Sequence, residues 1–189
     1  MANALIVSTT QYAAQLTELL SSVGYGSATQ AHSGTEAKRL MSEEPFDLII
    51  INAPLVDEYG YELAVQSAEN TLAGVLLLAK ADVSEAVEER VEGYGIVVLS
   101  KPVSGEDLYR TLKVLYSNRR RLDKLLTSNK RLEDKIEELK LVDRAKCLLI
   151  MHEGMSEQDA HKYIEKKAMD LRISRQEVAQ KIISLKQRD

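Results

Sequence analysis

The residues able to make or break bonds are few and scattered. Cys147 is the single cysteine in 189 residues, and His32, His152 and His161 do not stand at ligand spacing with carboxylates. There is no nucleophile–base pairing, metal cluster or glycine-rich phosphate loop. The chain therefore reads as a non-enzyme that needs no cofactor. Its chemistry is charge, unevenly spread. Residues 1–104 hold 5 Lys and Arg against 14 Asp and Glu, residues 105–141 hold 10 against 7, and residues 142–189 hold 10 against 8. An acidic head precedes a mildly basic second half, which permits binding to a polyanion. The run Arg119-Arg120-Arg121 reads as a solvated face, with a phosphate-touching patch as the alternative.

These charges need a scaffold, and the longest element is a helix from Gly105 to about Met151. Ser104 can cap it, and neither Pro nor Gly interrupts it before Gly154. Leu115, Leu122, Asn129 and Ile136 recur every seven residues, and Leu125, Leu132 and Leu139 recur on the adjoining step. That is an a/d seam. A second copy of the chain is the simplest cover for it, so a coiled-coil homodimer is expected. Asn129 fits a parallel pair, where a polar residue at an a position faces its own mate. The alternative is packing on another helix of the same chain.

Ahead of the rod, apolar runs alternate with helical patterns. Ala4–Val7, Gly26–Ala31, Asp47–Ile51, Gly74–Ala79 and Ile96–Leu99 read as strands. Gln11–Val23, Gly34–Met41, Tyr59–Ala68 and Val83–Val91 read as helices. Five alternations predict an α/β domain with a doubly wound, five-stranded parallel sheet. No basic flank precedes the first apolar run and no segment approaches membrane-spanning length, so a cytoplasmic protein with no membrane partner is expected.

The order of these elements resembles a two-component receiver domain. Phe46-Asp47-Leu48-Ile49-Ile50-Ile51, Gly60 and Lys101-Pro102 carry the likeness. The resemblance implies carboxylates after the first strand that hold Mg²⁺, a phosphoacceptor Asp ending the third, a hydroxyl after the fourth and a Lys after the fifth. Here those positions are Ser8 and Thr9, Asn52, Ala79 and Lys101; only the Lys matches. Mg²⁺ prefers anionic oxygens, and a carboxamide is not a phosphoryl nucleophile. A pseudo-receiver is therefore expected, controlled by a regulatory protein partner or another input. Asp57 falls beyond the strand and reads as a solvated turn residue.

Past the rod, Ser156-Glu157-Gln158-Asp159 nearly forms a capping box, and Ser174-Arg175-Gln176-Glu177 forms a full one. The tail is thus a small three-helix unit that begins with the end of the rod. It resembles the ANTAR family of RNA-binding transcription antiterminators through Asp143-Arg144-Ala145-Lys146-Cys147-Leu148-Leu149-Ile150, Gly154, Ser156-Glu157, Ala160, Ala168-Met169-Asp170 and Glu177-Val178-Ala179. Cys147, Ile150, His161 and Arg175 depart from the family pattern. The resemblance implies binding to structured leader mRNA that prevents intrinsic termination. Arg144, Lys146, Lys166, Lys167, Arg172 and Arg175 are the expected RNA contacts, Lys146 foremost. Cys147 reads as a small packing residue, and Met151, Met155 and Met169 as core or rim fillers. The expected division is 1–104 for the receiver-like domain, 105–141 for the coiled-coil linker and 142–189 for the ANTAR-like domain. The alternatives are a DNA-binding response regulator and a protein-interaction adaptor held by a sequestering partner.

Overall fold

The computed structural model describes residues 2–8 and 10–186, with the backbone alone for residues 10–15 and for 186. Strands β1 (Ala2–Val7), β2 (Tyr25–Ala31), β3 (Leu48–Asn52), β4 (Gly74–Lys80) and β5 (Val97–Lys101) form one sheet in the order β2-β1-β3-β4-β5. Every pairing is parallel. Helices α1 (Thr10–Val23), α2 (Gly34–Glu43), α3 (Tyr61–Asn70) and α4 (Ser84–Val91) make the crossovers, with a 3₁₀ turn at Glu92–Tyr94 before β5. Three further helices follow: α5 (Gly105–Glu153), α6 (Glu157–Leu171) and α7 (Arg175–Lys186).

The central strands are unbroken apolar runs because both faces of the sheet are covered. Successive residues feed opposite cores. Leu5, Val7, Ile49 and Ile51 pack with Ala37, Leu63, Ala64 and Val91 from α2, α3 and α4. Ala4, Ile6, Leu48 and Ile50 pack with Leu16 and Leu20 of α1 and with Leu108 and Leu112 of α5. Each such Leu or Ile is worth about 1.5–3 kcal/mol in transfer from water. The register sets Val7 beside Ile51, which brings the ends of β1 and β3 together.

By contacts the chain divides into two compact units, Met1–Asp123 and Lys124–Asp189. The first unit includes the opening turns of α5, which Ser104 caps by accepting from the Asp107 amide at 3.0 Å. This corrects one seam expectation. Leu115 is only 7% exposed and lies in the head's core, so its side chain is unavailable to a second copy. The seven-residue spacing ran on through it because a helix packed on a sheet and a helix packed on a helix share nearly the same repeat over a few turns. Arg119 is a second correction. Its Nε donates to Asp47 at 2.9 Å and its guanidinium reaches the Leu72 carbonyl at 3.2 Å and Asp123 at 3.1 Å. The Arg119 side chain is 18% exposed, so it ties α5 to the sheet and is not a solvated residue.

In the second unit α5 continues to Glu153 and stops at Gly154, whose φ of 65° suits a residue without Cβ. Leu125, Leu132, Ile136 and Leu139 are more than half exposed, and Leu122 is half-buried. The core beyond them draws three residues from each helix: Val142, Ala145 and Leu149; Ala160, Ile164 and Ala168; Val178, Ala179 and Ile183. Four of the nine are alanine, which lets the helices approach closely while burying little. Ser156 caps α6, and Ser174 with Glu177 caps α7 reciprocally: the Glu177 amide donates to Ser174 Oγ at 3.1 Å and the Ser174 amide to Glu177 Oε2 at 2.8 Å. Among the described residues no helix is long and apolar enough to cross a membrane.

Candidate nucleic-acid interface and the strand-end cluster

The basic residues of the tail fall into two groups. Lys146 and Arg175 are engaged within the chain. Lys146 Nζ lies 2.8 Å from Asp143 and 3.2 Å from Glu157, with its side chain 16% exposed, and so joins α5 to the start of α6. Its hydrogen bonds to Asp143 and then Glu157 hold the ammonium above its ordinary pKa. Arg175 donates to Glu138 at 3.0–3.1 Å and stands 3.7 Å from Glu165, joining α7 to α5 and α6. Arg144, Lys166 and Arg172 are exposed and have no ion pair among the described residues. Lys167 is exposed, with its ammonium 5.7 Å from the Tyr163 ring centroid. Lys162, one turn before Lys166 and also exposed, shares that face of α6.

Arg172 is held in an unusual way. It ends α6 in the left-handed region, φ 52° and ψ 42°, and is the only described non-glycine residue with positive φ. Its amide and that of Ile173 turn back to the last carbonyls of α6, at 3.2 Å to Met169 and 3.1 Å to Ala168. A glycine is the ordinary occupant of such a cap. The tail also exposes apolar groups. Met151 and Met169 are 77% and 79% exposed, and Cys147 is exposed as well, whereas Met155 does pack on the core. The expectations that Met151 and Met169 fill the core or its rim and that Cys147 is a packing residue are thus corrected: all three are exposed.

At the end of the sheet the β1–β3 register places Ser8 and Asn52 side by side. Asn52 Nδ2 donates to Ser8 Oγ at 2.9 Å, and Lys101 Nζ donates to Asn52 Oδ1 at 2.6 Å and to the Ala53 carbonyl. Burial, with repulsion from Lys80 adding to it, pulls Lys101 below its ordinary pKa. Ala79, at the end of β4, is buried and offers no hydroxyl. Thr9 lies outside the described residues. A magnesium ion of the kind receiver domains use does not fit this donor set. Ser8 and Asn52 are neutral and already bonded to each other, and the nearest cation is the chain's own Lys101. No group of three or more His, Cys, Asp or Glu residues that could hold a metal occurs among the described residues.

Asp57 lies exposed in the loop after β3, as expected, but it is not free. Its carboxylate accepts from the Gly34 amide at 2.8 Å, the Thr35 amide at 2.9 Å and the Thr35 hydroxyl at 2.9 Å. From this exposed position it fastens the loop after β3 to the start of α2. The Thr35 and Gly34 amides hold its pKa down at about 2. Nothing local predicts this, because the partners are 22 and 23 residues away. The pairings of Glu138 with Arg175 and of Glu157 with Lys146 went unread for the same reason.

The comparisons with known proteins divide along the same line. The model of the ANTAR domain matches residues 130–183. The transcriptional regulatory protein PdtaR of Mycobacterium tuberculosis is 31% identical over 168 residues, covering 89% of this chain and 82% of that protein. A probable chemotaxis protein CheY of Rhizobium etli is 27% identical over 104 residues, 53% of this chain and 81% of that one. Among solved structures, the signal receiver domain of an HD domain-containing protein from Pseudomonas fluorescens has a TM-score of 0.56 at 24% identity, covering 65% of this chain and 92% of its own.

Proposed function

Since the chain belongs to the ANTAR family of response regulators, with a receiver domain ahead of the ANTAR domain, we propose that it is a transcription antiterminator that binds structured leader mRNA and so prevents intrinsic termination. The family is regulatory and not enzymatic. The observation that carries the reading is the division of cations in the tail. Lys146 and Arg175 are spent on holding three helices together, while Arg144, Lys166, Lys167 and Arg172 stay open to solvent. Folded RNA is recognised by shape, phosphate charge and bases splayed from loops, and open Lys and Arg side chains suit each of these. Lys146 and Arg175 then position the helices that carry the contacts, instead of making the contacts themselves. The uncovered Leu125, Leu132, Ile136 and Leu139 support a parallel homodimer through α5, with Asn129 at its polar layer. Two tails joined in this way would engage two hairpins by effective concentration.

The head is proposed to lack the phosphorelay, because Asn52 is a carboxamide already engaged by Ser8 and Lys101. Treatment with acetyl phosphate and Mg²⁺ should leave the mass of the protein unchanged; an adduct that disappears in Asn52→Ala would refute this part. The binding test is fluorescence anisotropy with a two-hairpin leader RNA against duplex DNA of equal length at two salt concentrations. Tighter binding to RNA is expected, weakened about tenfold in Arg144→Glu or Lys166→Glu. Equal or tighter binding to the duplex would overturn the antiterminator reading in favour of a DNA-binding regulator. By sedimentation, the protein should be a dimer whose Asn129→Val variant associates more tightly with a less defined strand number. A monomeric wild type at micromolar concentration would remove the homodimer.

A further inference from the structure

The head contains a cavity of about 460 Å³ that the reading above leaves unused. It lies between α4, the end of β4 and the loop after β3. Its volume falls in the range of small-molecule sites, roughly 300–1,000 Å³. Two alanines make room for it: Ala53 at the start of the loop and Ala79 near the end of β4, with Leu77 and Val87 as apolar walls. Two tyrosines line it. Tyr59 is 78% exposed, an uncommon position for a ring with no fixed partner, and Tyr61 lies beneath the guanidinium of Arg90 at 5.4 Å from its centroid. Lys80 and Arg90 contribute two positive charges to the lining against the single carboxylate of Asp82.

We propose that this cavity is a binding site for a small aromatic carboxylate. The ring of such a ligand would lie against Tyr59 and Tyr61 over the apolar wall, where aromatic contacts favour offset or edge-on packing. Its carboxylate would meet Arg90 and Lys80, the pair whose charge Asp82 leaves partly uncompensated. Ala53 links the site to the strand-end cluster, because the same residue that lines the cavity accepts from Lys101 through its carbonyl. The head would then take its input by occupancy of this cavity.

The test is an amide NMR titration of the full chain with benzoate, 4-hydroxyphenylacetate and indole-3-acetate, each carried to millimolar concentration. Saturable shifts at the cavity residues are expected for at least one of the three. Binding should weaken about tenfold for the matching neutral amide, and about tenfold in Arg90→Gln. Ala86→Phe, at an exposed position of α4 that lines the cavity, should abolish binding while leaving the head folded. Absence of saturable shifts with all three acids would overturn the proposal. So would shifts centred elsewhere, an amide that binds as well as its acid, or an unaltered Ala86→Phe. The proposal does not depend on the RNA reading: the titration is scored on the head, so its failure leaves the tail's role standing.

Discussion

The two compact units are built on opposite plans. In the head the largest fully buried side chains are leucines and isoleucines that lie in or against the sheet. In the tail nine residues make the core and four of them are alanine. Polar groups follow the opposite trend. Several charges of the head tie its elements together: Lys101 on Asn52 and Ala53, Asp57 on the start of α2, Arg119 on Asp47. In the tail Lys146 and Arg175 join helices, while Arg144, Lys166 and Arg172 have no ion pair among the described residues. A thick apolar core can lose the reactive groups at its rim without losing its fold. A thin core depends more on each ion pair and cap.

The largest effect should separate the units directly. Truncating one core residue in each, Ile50→Ala and Ile164→Ala, costs about 3–4 kcal/mol in either place. In the head that is a fraction of the stability; in the tail it is most of it. By amide NMR, Ile164→Ala should lose the tail's signals and keep the head's, while Ile50→Ala keeps both and lowers the head's denaturant midpoint. Simultaneous loss of both units in either variant would erase the distinction. Next comes Arg119→Ala, which leaves the partly buried Asp47 without its charge partner and should lower the head's stability by about 1–2 kcal/mol, read from denaturant unfolding.

A smaller effect has the opposite sign. Arg172→Gly relieves a left-handed backbone and should stabilise the tail by about 0.5–1 kcal/mol, offset in part by the freer unfolded chain. The same variant should bind leader RNA several-fold more weakly. A variant that gains stability at no cost in RNA binding would remove Arg172 from the interface. The smallest effect concerns pH. Asp57 titrates near 2 in the folded head and at about 3.8 unfolded, so its contribution is fully present above about pH 4 and is lost as pH falls toward 2. Asp57→Asn should flatten the acid limb of the head's stability curve in that window; an unchanged limb would show that the tie to α2 is not made in solution.

The sheet was legible because parallel strands buried on both faces write themselves as apolar runs, and Leu48 to Ile51 is the plainest case. The caps at Ser156 and Ser174 were legible because their partners lie within three residues. What stayed hidden was pairing over distance. Leu115 keeps the heptad spacing yet belongs to the sheet, and only contact with β4 could reveal it. Lys146 matched a motif, but its ion pair with Glu157 forms only once α6 has packed on α5. Arg119 looked like its neighbours Arg120 and Arg121, and only the fold brings Asp47 to it. The cavity under α4 left no mark at all, since Ala53, Ala79 and Arg90 meet only after three elements have assembled.

The hydrogen bonds around Asn52 bear on time. An acyl phosphate has a hydrolytic lifetime, so a domain that forms one remembers its stimulus after the stimulus has gone. An amide gripped by a hydroxyl and an ammonium holds no such record. If the head works without a phosphorelay, as proposed above, a stimulus acting at this strand end has to stay for as long as the response lasts.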